Sequence, residues 1–217
     1  MSHGIVSIGY EGRSIEEFVV ECQRAGVHTV ADVRLNAISR KAGFSKTRLR
    51  DALAGAGIGY RHMRSLGNAK ENRQPFWDGR VDEGRRTFLE ALKSEEATAS
   101  MKELADLVKE QVVAVLCFES DDQTCHRRVV IDEVVGLTTV PVLVLPGRLA
   151  PGVVRDAVRA VMAEAAPEAM SLADLHSAVV KRVGQEVSES SVRSSVLLHP
   201  ETYVRVARGR YRLGDNA

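Results

Sequence analysis

The chain has 217 residues, 44% of them hydrophobic and 27% charged, the composition of a soluble globular protein with room for one good core and a smaller second one. No apolar run approaches the ~20 residues of a membrane span, and the opening "MSHGIVSIGYEG" lacks the basic and long apolar segments of a signal peptide. Three cysteines without framework spacing suit a reducing compartment, so the expectation is a cytoplasmic protein without disulfides.

The formal net charge of +1 hides a segregation. From Arg34 to Arg80 eleven Lys or Arg stand against three acids, Asp51, Glu71 and Asp78; from Tyr203 to Leu213 there are four Arg and no acid. Two basic regions in one chain favour a polyanion partner over two merely solvated faces.

In chain order, "GIVSIG" reads as a short buried strand, and "SIEEFVVECQRAG" as a helix with Ser14 and Glu17 at capping-box spacing and Gly26 as its stop. "HTVADVR" predicts a second strand, "KTRLRDALAGAG" a helix and "IGYRHM" a third strand. Helices follow over about Asp82–Lys93 and Thr98–Glu110. "VVAVLCF", apolar throughout, is a strand covered on both faces. A helix from about Cys125 to Val135 and the strand "TVPVLVL" complete the first unit. This alternation predicts an α/β fold, Rossmann-like, with a mostly parallel sheet and flanking helices over residues 1–150. Beyond it "GVVRDAVRAVMAEAA", "LADLHSAVVKRVG" capped by Ser171, and Ser188–Leu198 predict three helices, and "YVRVARGRYRL" a hairpin. That order is the one of a small winged helix-turn-helix domain over residues 151–217.

Ligands of an open parallel sheet bind outside the carboxyl ends of its strands. Gly9, Tyr10 and Glu11 follow the first strand; Asp32, Arg34, Arg40 and Lys41 lie at or beyond the end of the second. His62, Gly67 and Trp77 belong to or follow the third, and Cys117, Glu119, Cys125, His126 and Arg127 the fourth. Polar groups from four loops are thus expected at one edge.

Several chemistries compete for that edge. A structural zinc site takes four ligands, commonly as two close pairs, and Cys117, Cys125 and His126 lack an obvious fourth; no metal and no cofactor is assigned. A thiolate phosphatase needs an arginine six positions after its cysteine, and positions 123 and 131 are Gln and Ile. Cys125 at a helix start beside His126 and Arg127 has the setting of an activated thiol, while a small buried residue is its simpler role. Glu11, Asp32 and Glu119 are candidates to activate water or to stabilise a developing sugar cation. Arg34 and Arg127 are candidate phosphate holders, Tyr10 and Trp77 candidate base-stacking rings, and His62 and His126 candidate proton carriers; salt bridges, packing and structural hydrogen bonds are the alternatives.

The segments "SIGYEGRSIEEF", "VADVR", "SRKAGFSKTRLRDAL", "GIGYRHMRSLGN" and "LCFESDDQTCHRRVV" resemble the successive motifs of the domain-of-unknown-function 488 family, over about Ile5–Leu145. The resemblance implies a Rossmann-like domain with characteristic positions at Gly9, Tyr10, Asp32, Arg34, Leu66, Gly67, Cys117, Glu119, Cys125, His126 and Arg127. It carries no established activity. Unlike the single compact domain common in that family, this chain continues into a tail resembling the winged-helix modules of nucleic-acid enzymes and regulators. There Ser190, Ser191 and Arg193 would face the major groove and Arg205, Arg208 and Arg210 the backbone or minor groove, with Arg40, Lys41, Lys46 and Arg48 as further DNA contacts.

The two halves together point to a DNA-binding protein, most simply of the double-stranded form, whose α/β domain processes a nucleotide or base. N-glycosidic cleavage, as by a DNA glycosylase in repair, is the most economical reaction. A ligand-sensing winged-helix regulator and a thiol enzyme of sulfur or redox metabolism are the alternatives. A homodimer stays open, and no membrane partner is expected.

Overall fold

The computed structural model describes residues 1–147, 152–184, 187 and 189–214. The helix start expected at Ser188 and the domain boundary expected after residue 150 lie outside the described residues. The chain divides into two compact units, 1–148 and 149–217.

The first unit is an α/β layer structure. Strands β1 (Gly4–Gly9), β2 (Thr29–Asp32), β3 (Gly59–His62), β4 (Val112–Cys117) and β5 (Val142–Val144) form one sheet in the order β3-β2-β4-β1-β5. Every pairing is parallel, with Gly4 opposite Val112 and Thr29 opposite both Gly59 and Val113. β1, β2 and β4 are buried on both faces, as the unbroken apolar sequence of β4 requires; Ser7 in β1 and Asp32 in β2 are buried with polar partners. Alternate residues enter different layers: Val113 and Val115 pack with Met101, Leu104 and Val130, whereas Val112, Ala114 and Leu116 pack with Phe18, Leu49 and Leu53.

The helices are α1 (Ile15–Arg24), α2 (Lys46–Gly55), the short α3 (Gln74–Trp77), α4 (Val81–Ala91), α5 (Glu95–Glu110) and α6 (His126–Leu137). α1 starts from the expected capping box: the Ser14 hydroxyl accepts from the Glu17 amide at 3.2 Å, and the Glu17 carboxylate accepts from the Ser14 amide at 2.8 Å. Ser94 caps α5 through the Ala97 amide. α3 and two single turns of 3-10 helix, Arg64–Leu66 and Lys70–Asn72, occupy the long β3–α4 connection, which sequence periodicity leaves blank.

The second unit contains α7 (Val153–Ala165), β6 (Met170–Ser171), α8 (Leu172–Val183), α9 (Glu189–Leu197), β7 (Tyr203–Ala207) and β8 (Arg210–Leu213). Its antiparallel sheet has the order β6-β8-β7, and Gly209, at a φ of +71°, supplies the left-handed residue in the two-residue β7–β8 turn. Val158, Met162, Leu175, Val179, Val192, Val196, Tyr203 and Tyr211 form its core. Among the described residues no helix is long and apolar enough to cross a membrane.

Candidate functional site

The loops after β1, β2, β3 and β4 line one cavity of about 450 Å³ at the carboxyl edge of the sheet. Its walls include Tyr10, Arg34, Arg40, Lys41, Arg73 and Trp77, and Cys117, Glu119, Cys125 and His126 also face it. Of the residues expected at this edge, Gly9, Glu11, Asp32, His62, Gly67 and Arg127 do not line the cavity. Each of these six instead shapes the frame around it.

Asp32, at the end of β2, is fully buried. Its carboxylate accepts from Arg34 Nε at 2.8 Å and Nη2 at 2.6 Å, and from the Tyr60 hydroxyl at 2.7 Å. The i, i+2 spacing places both side chains on one side of the extended chain, which is what permits this two-pronged pair. Arg34 Nη1 donates to Tyr10 Oη and the Phe44 carbonyl, at 3.1 and 2.9 Å, and its guanidinium lies 5.0 Å from the Tyr10 ring centroid. Tyr10 stacks on Phe44 with centroids 4.3 Å apart. The sequence offers Arg34 as a phosphate holder and Tyr10 as a base platform. In the structure the guanidinium is largely consumed by internal partners, and one Tyr10 face is covered by Phe44.

Burial works against the Arg34 charge, but the Asp32 hydrogen bonds and charge outweigh it and raise its pKa. Burial also raises the Tyr60 phenol above its ordinary value of 10.0, and the Asp32 charge and hydrogen bond add to this against Arg34. A phenol with a raised folded pKa contributes stability that is fully present below the unfolded pKa and is lost as the pH rises above it. Urea midpoints taken on either side of pH 10 should therefore fall more steeply for the wild type than for Tyr60→Phe; parallel declines would refute the assignment.

Glu11 accepts from the Ser120 amide at 2.9 Å, tying the β1 and β4 loops together. Arg127 is fully buried and donates to Ser7 Oγ, the Glu119 carbonyl and the Ser120 carbonyl at 3.0, 2.5 and 3.1 Å. It is a brace for the β4 loop and does not line the cavity. His62 Nε2 bonds the Arg34 carbonyl at 2.8 Å. A Cβ on Gly9 would lie 1.8 Å from the Glu119 carbonyl oxygen, and one on Gly67 2.2 Å from the Leu35 amide nitrogen. Both glycines let two site loops approach more closely than a side chain permits. Arg13, which also follows β1, is buried too, and links Glu21, the Gly9 carbonyl and the Pro146 carbonyl.

The cavity floor is the Cys117–His126 segment. Cys117 ends β4, Glu119 lies two residues on, Cys125 caps α6, and His126 is its first residue. The Cys117 and Cys125 thiols both donate to Glu119 Oε2, at 3.0 and 3.1 Å. Burial pushes the Glu119 carboxyl up, but the two thiol hydrogen bonds, with a backbone hydrogen bond and the nearby His126, together hold the pKa below its ordinary value. Burial pushes the Cys125 thiol well above its ordinary value, and Cys117 and Glu119 push it the same way. This setting does not favour the thiolate of Cys125, whose sulfur is a buried donor beside a carboxylate.

Besides Arg34, which is paired with Asp32, the wall carries the cations Arg40, Lys41 and Arg73, none of which has an ion-pair partner among the described residues. Arg73 is not among the residues expected from the sequence; its signal is its place in the loop between Gly67 and Trp77. The Trp77 ring is 62% exposed at the rim. Lys46 and Arg48 are exposed on α2 and do not line the cavity.

The model of a family described as domain of unknown function DUF488 matches residues 14–134, more than half of the chain. The chain belongs to the DUF488 family. The DUF488 segment contains β2, β3, β4 and the whole Cys117–Arg127 segment, while Gly9, Tyr10 and Glu11 precede it. No curated protein and no solved structure matches this DUF488 chain.

Proposed function

We propose that this DUF488 protein is a DNA-directed hydrolase whose α/β unit cleaves the N-glycosidic bond of one nucleotide, with the second unit acting as a winged helix-turn-helix that holds the duplex. The observation that carries the reading is the pairing, in one cavity, of Arg40, Lys41 and Arg73 with an ionised carboxylate, Glu119, on the floor. Cations without internal partners are suited to phosphates, and a recessed carboxylate is suited to a cationic transition state.

A base inside a duplex is out of reach of such a floor, so the nucleotide must turn out of the stack. Its flanking phosphates then meet Arg40, Lys41 and Arg73, and the exposed Trp77 ring offers a stacking face. Water oxygen bonds to the sugar C1′ as the C1′–N bond breaks; the bonding pair leaves with the base, the proton that the water gives up ends on the base, and Glu119 balances the positive charge that develops on the sugar. In the second unit, Arg193 on α9 and Arg205, Arg208 and Arg210 on the hairpin are exposed, the arrangement expected of a recognition helix and a wing. Arg210 already donates to the Ala169 carbonyl at 2.7 Å, which leaves Arg208, in the turn, as the freer backbone contact.

The reading is tested with purified protein on labelled duplexes that carry varied damaged or modified bases, followed by alkali. Alkali-dependent breaks at the modified position are the expected result, since a base-free sugar is alkali-labile. Salt-sensitive retardation with no breaks on any substrate would overturn it in favour of a ligand-sensing DNA-binding regulator.

A further inference from the structure

The sequence offers three soft or borderline metal donors near β4 and α6 and no obvious fourth; the structure supplies it. Cys117 Sγ, Cys125 Sγ, a Glu119 oxygen and a His126 ring nitrogen all lie within 4.8 Å of one another. We propose that these four residues form a binding site for one divalent transition-metal ion of the zinc class. The inference goes beyond the glycosidic reading and does not depend on what enters the cavity.

Three features of the cluster carry it. The first is spacing. Around a tetrahedral zinc with bonds of about 2.3 Å to sulfur and about 2.0 Å to nitrogen, donor atoms stand roughly 3.5–3.8 Å apart. His126 Nδ1 lies 3.7 Å from Cys117 Sγ and 3.9 Å from Cys125 Sγ, so the sulfur–nitrogen edges already have the required length. The sulfur–carboxylate edges, 3.0 and 3.1 Å, are hydrogen bonds and need to widen by only about half an ångström when an ion replaces the protons.

The second feature is the orientation of the imidazole. His126 Nε2 lies 2.9 Å from the Val33 carbonyl, which can only accept, so Nε2 is the donor and Nδ1, on the side of the sulfurs, is the nitrogen that can coordinate. A backbone carbonyl behind the ring is the usual support of a metal-binding histidine. The Phe88 ring, edge-on with its centroid 5.2 Å away, packs against the same imidazole.

The third is charge. Two thiols and one carboxylate carry one negative charge; two thiolates, one carboxylate and a divalent cation also carry one. Exchange of two protons for the ion therefore leaves the net charge of this buried cluster unchanged, and the surrounding dipoles serve both states. Mixed sulfur and nitrogen donors select zinc-class ions over magnesium or calcium, which require oxygen shells. Glu119 is the least buried of the four and faces the cavity, so it is the ligand that water or a substrate can displace, as in zinc sites with an open position.

The test uses the full chain, reduced and stripped by chelator, then titrated with zinc or cobalt in the absence of nucleic acid. Expected are one ion per chain, a sulfur-to-cobalt charge-transfer band with the intense visible bands of a tetrahedral site, and release of about two protons per ion in weak buffer. Cys117→Ser and Cys125→Ser should each weaken uptake by more than the 10–100-fold that loss of an outer-shell partner costs. Cys22→Ser, in the α1 layer, should leave uptake unchanged. Substoichiometric uptake by the wild type, a cobalt spectrum without charge transfer, or equal sensitivity to Cys22→Ser would each overturn the site. The wild-type spectrum decides the matter even where a cysteine variant fails to fold, and a duplex assay without breaks leaves it untouched.

Discussion

Asp32→Ala should destabilise the α/β unit by about 3–5 kcal/mol, the cost of leaving one partner of a buried ion pair uncompensated. Arg34 is 6% exposed and spends Nε and Nη2 on this one carboxylate, so no solvent route replaces the lost acceptors. The Tyr60 hydroxyl loses its acceptor in the same substitution. A domain of ordinary stability holds only about 5–15 kcal/mol in total, so the loss should be plain in a urea transition followed by circular dichroism. Asp32→Ala/Arg34→Met tests the cause. If the uncompensated guanidinium is responsible, the double variant should be more stable than Asp32→Ala alone, because an apolar side chain suits a site with no counter-charge. A double variant that is less stable by the sum of the two single losses would show that Asp32 acts independently of Arg34.

The same pair shows where the sequence is legible and where it is not. Local rules locate α1, because Ser14 and Glu17 satisfy each other's backbone within one turn. They locate β4 as well, because six apolar residues in a row suit only a strand covered on both sides. They bring Cys117, Glu119, Cys125 and His126 to one sheet edge, because a strand end and the next helix start are close in sequence. What they miss is the direction in which charged side chains turn. Arg13, Arg34 and Arg127 look like surface cations but are buried, each bonded to loop carbonyls or a carboxylate. Part of what holds each of them is a backbone carbonyl, which leaves no trace in residue type. Arg73 and α3 escape for another reason: a four-residue helix containing Pro75 has no periodicity to detect, yet it places Trp77 at the cavity rim. The fourth donor of the floor was visible in principle, since Glu119 is two residues beyond Cys117 and alternation puts both on one side of an extended chain.

On the proposed glycosidic reading, Glu119→Gln should lower turnover by about 10²–10³-fold, the range for loss of one group that stabilises transition-state charge, and should change stability far less. Its carboxylate is the ionised group at the cavity floor, held so by the Cys117 and Cys125 thiols, and it is the charge available to a sugar cation. The amide of glutamine keeps the shape and one acceptor oxygen for those thiols but removes the charge. Thiol hydrogen bonds are weak, so folding should tolerate the exchange, whereas a transition state that relies on the anion should not. Separate measurement of kcat and KM distinguishes the roles. Loss in kcat with KM nearly constant marks a group that acts in the transition state, and a rise in KM alone would place Glu119 among the binding residues with Arg40, Lys41 and Arg73. Glu11→Gln supplies the contrast, because that carboxylate serves the Ser120 amide outside the cavity lining and its loss should act through loop position with a much smaller effect on kcat. Equal losses of kcat in the two variants would mean that the floor carboxylate has no chemical privilege and that loop geometry governs turnover.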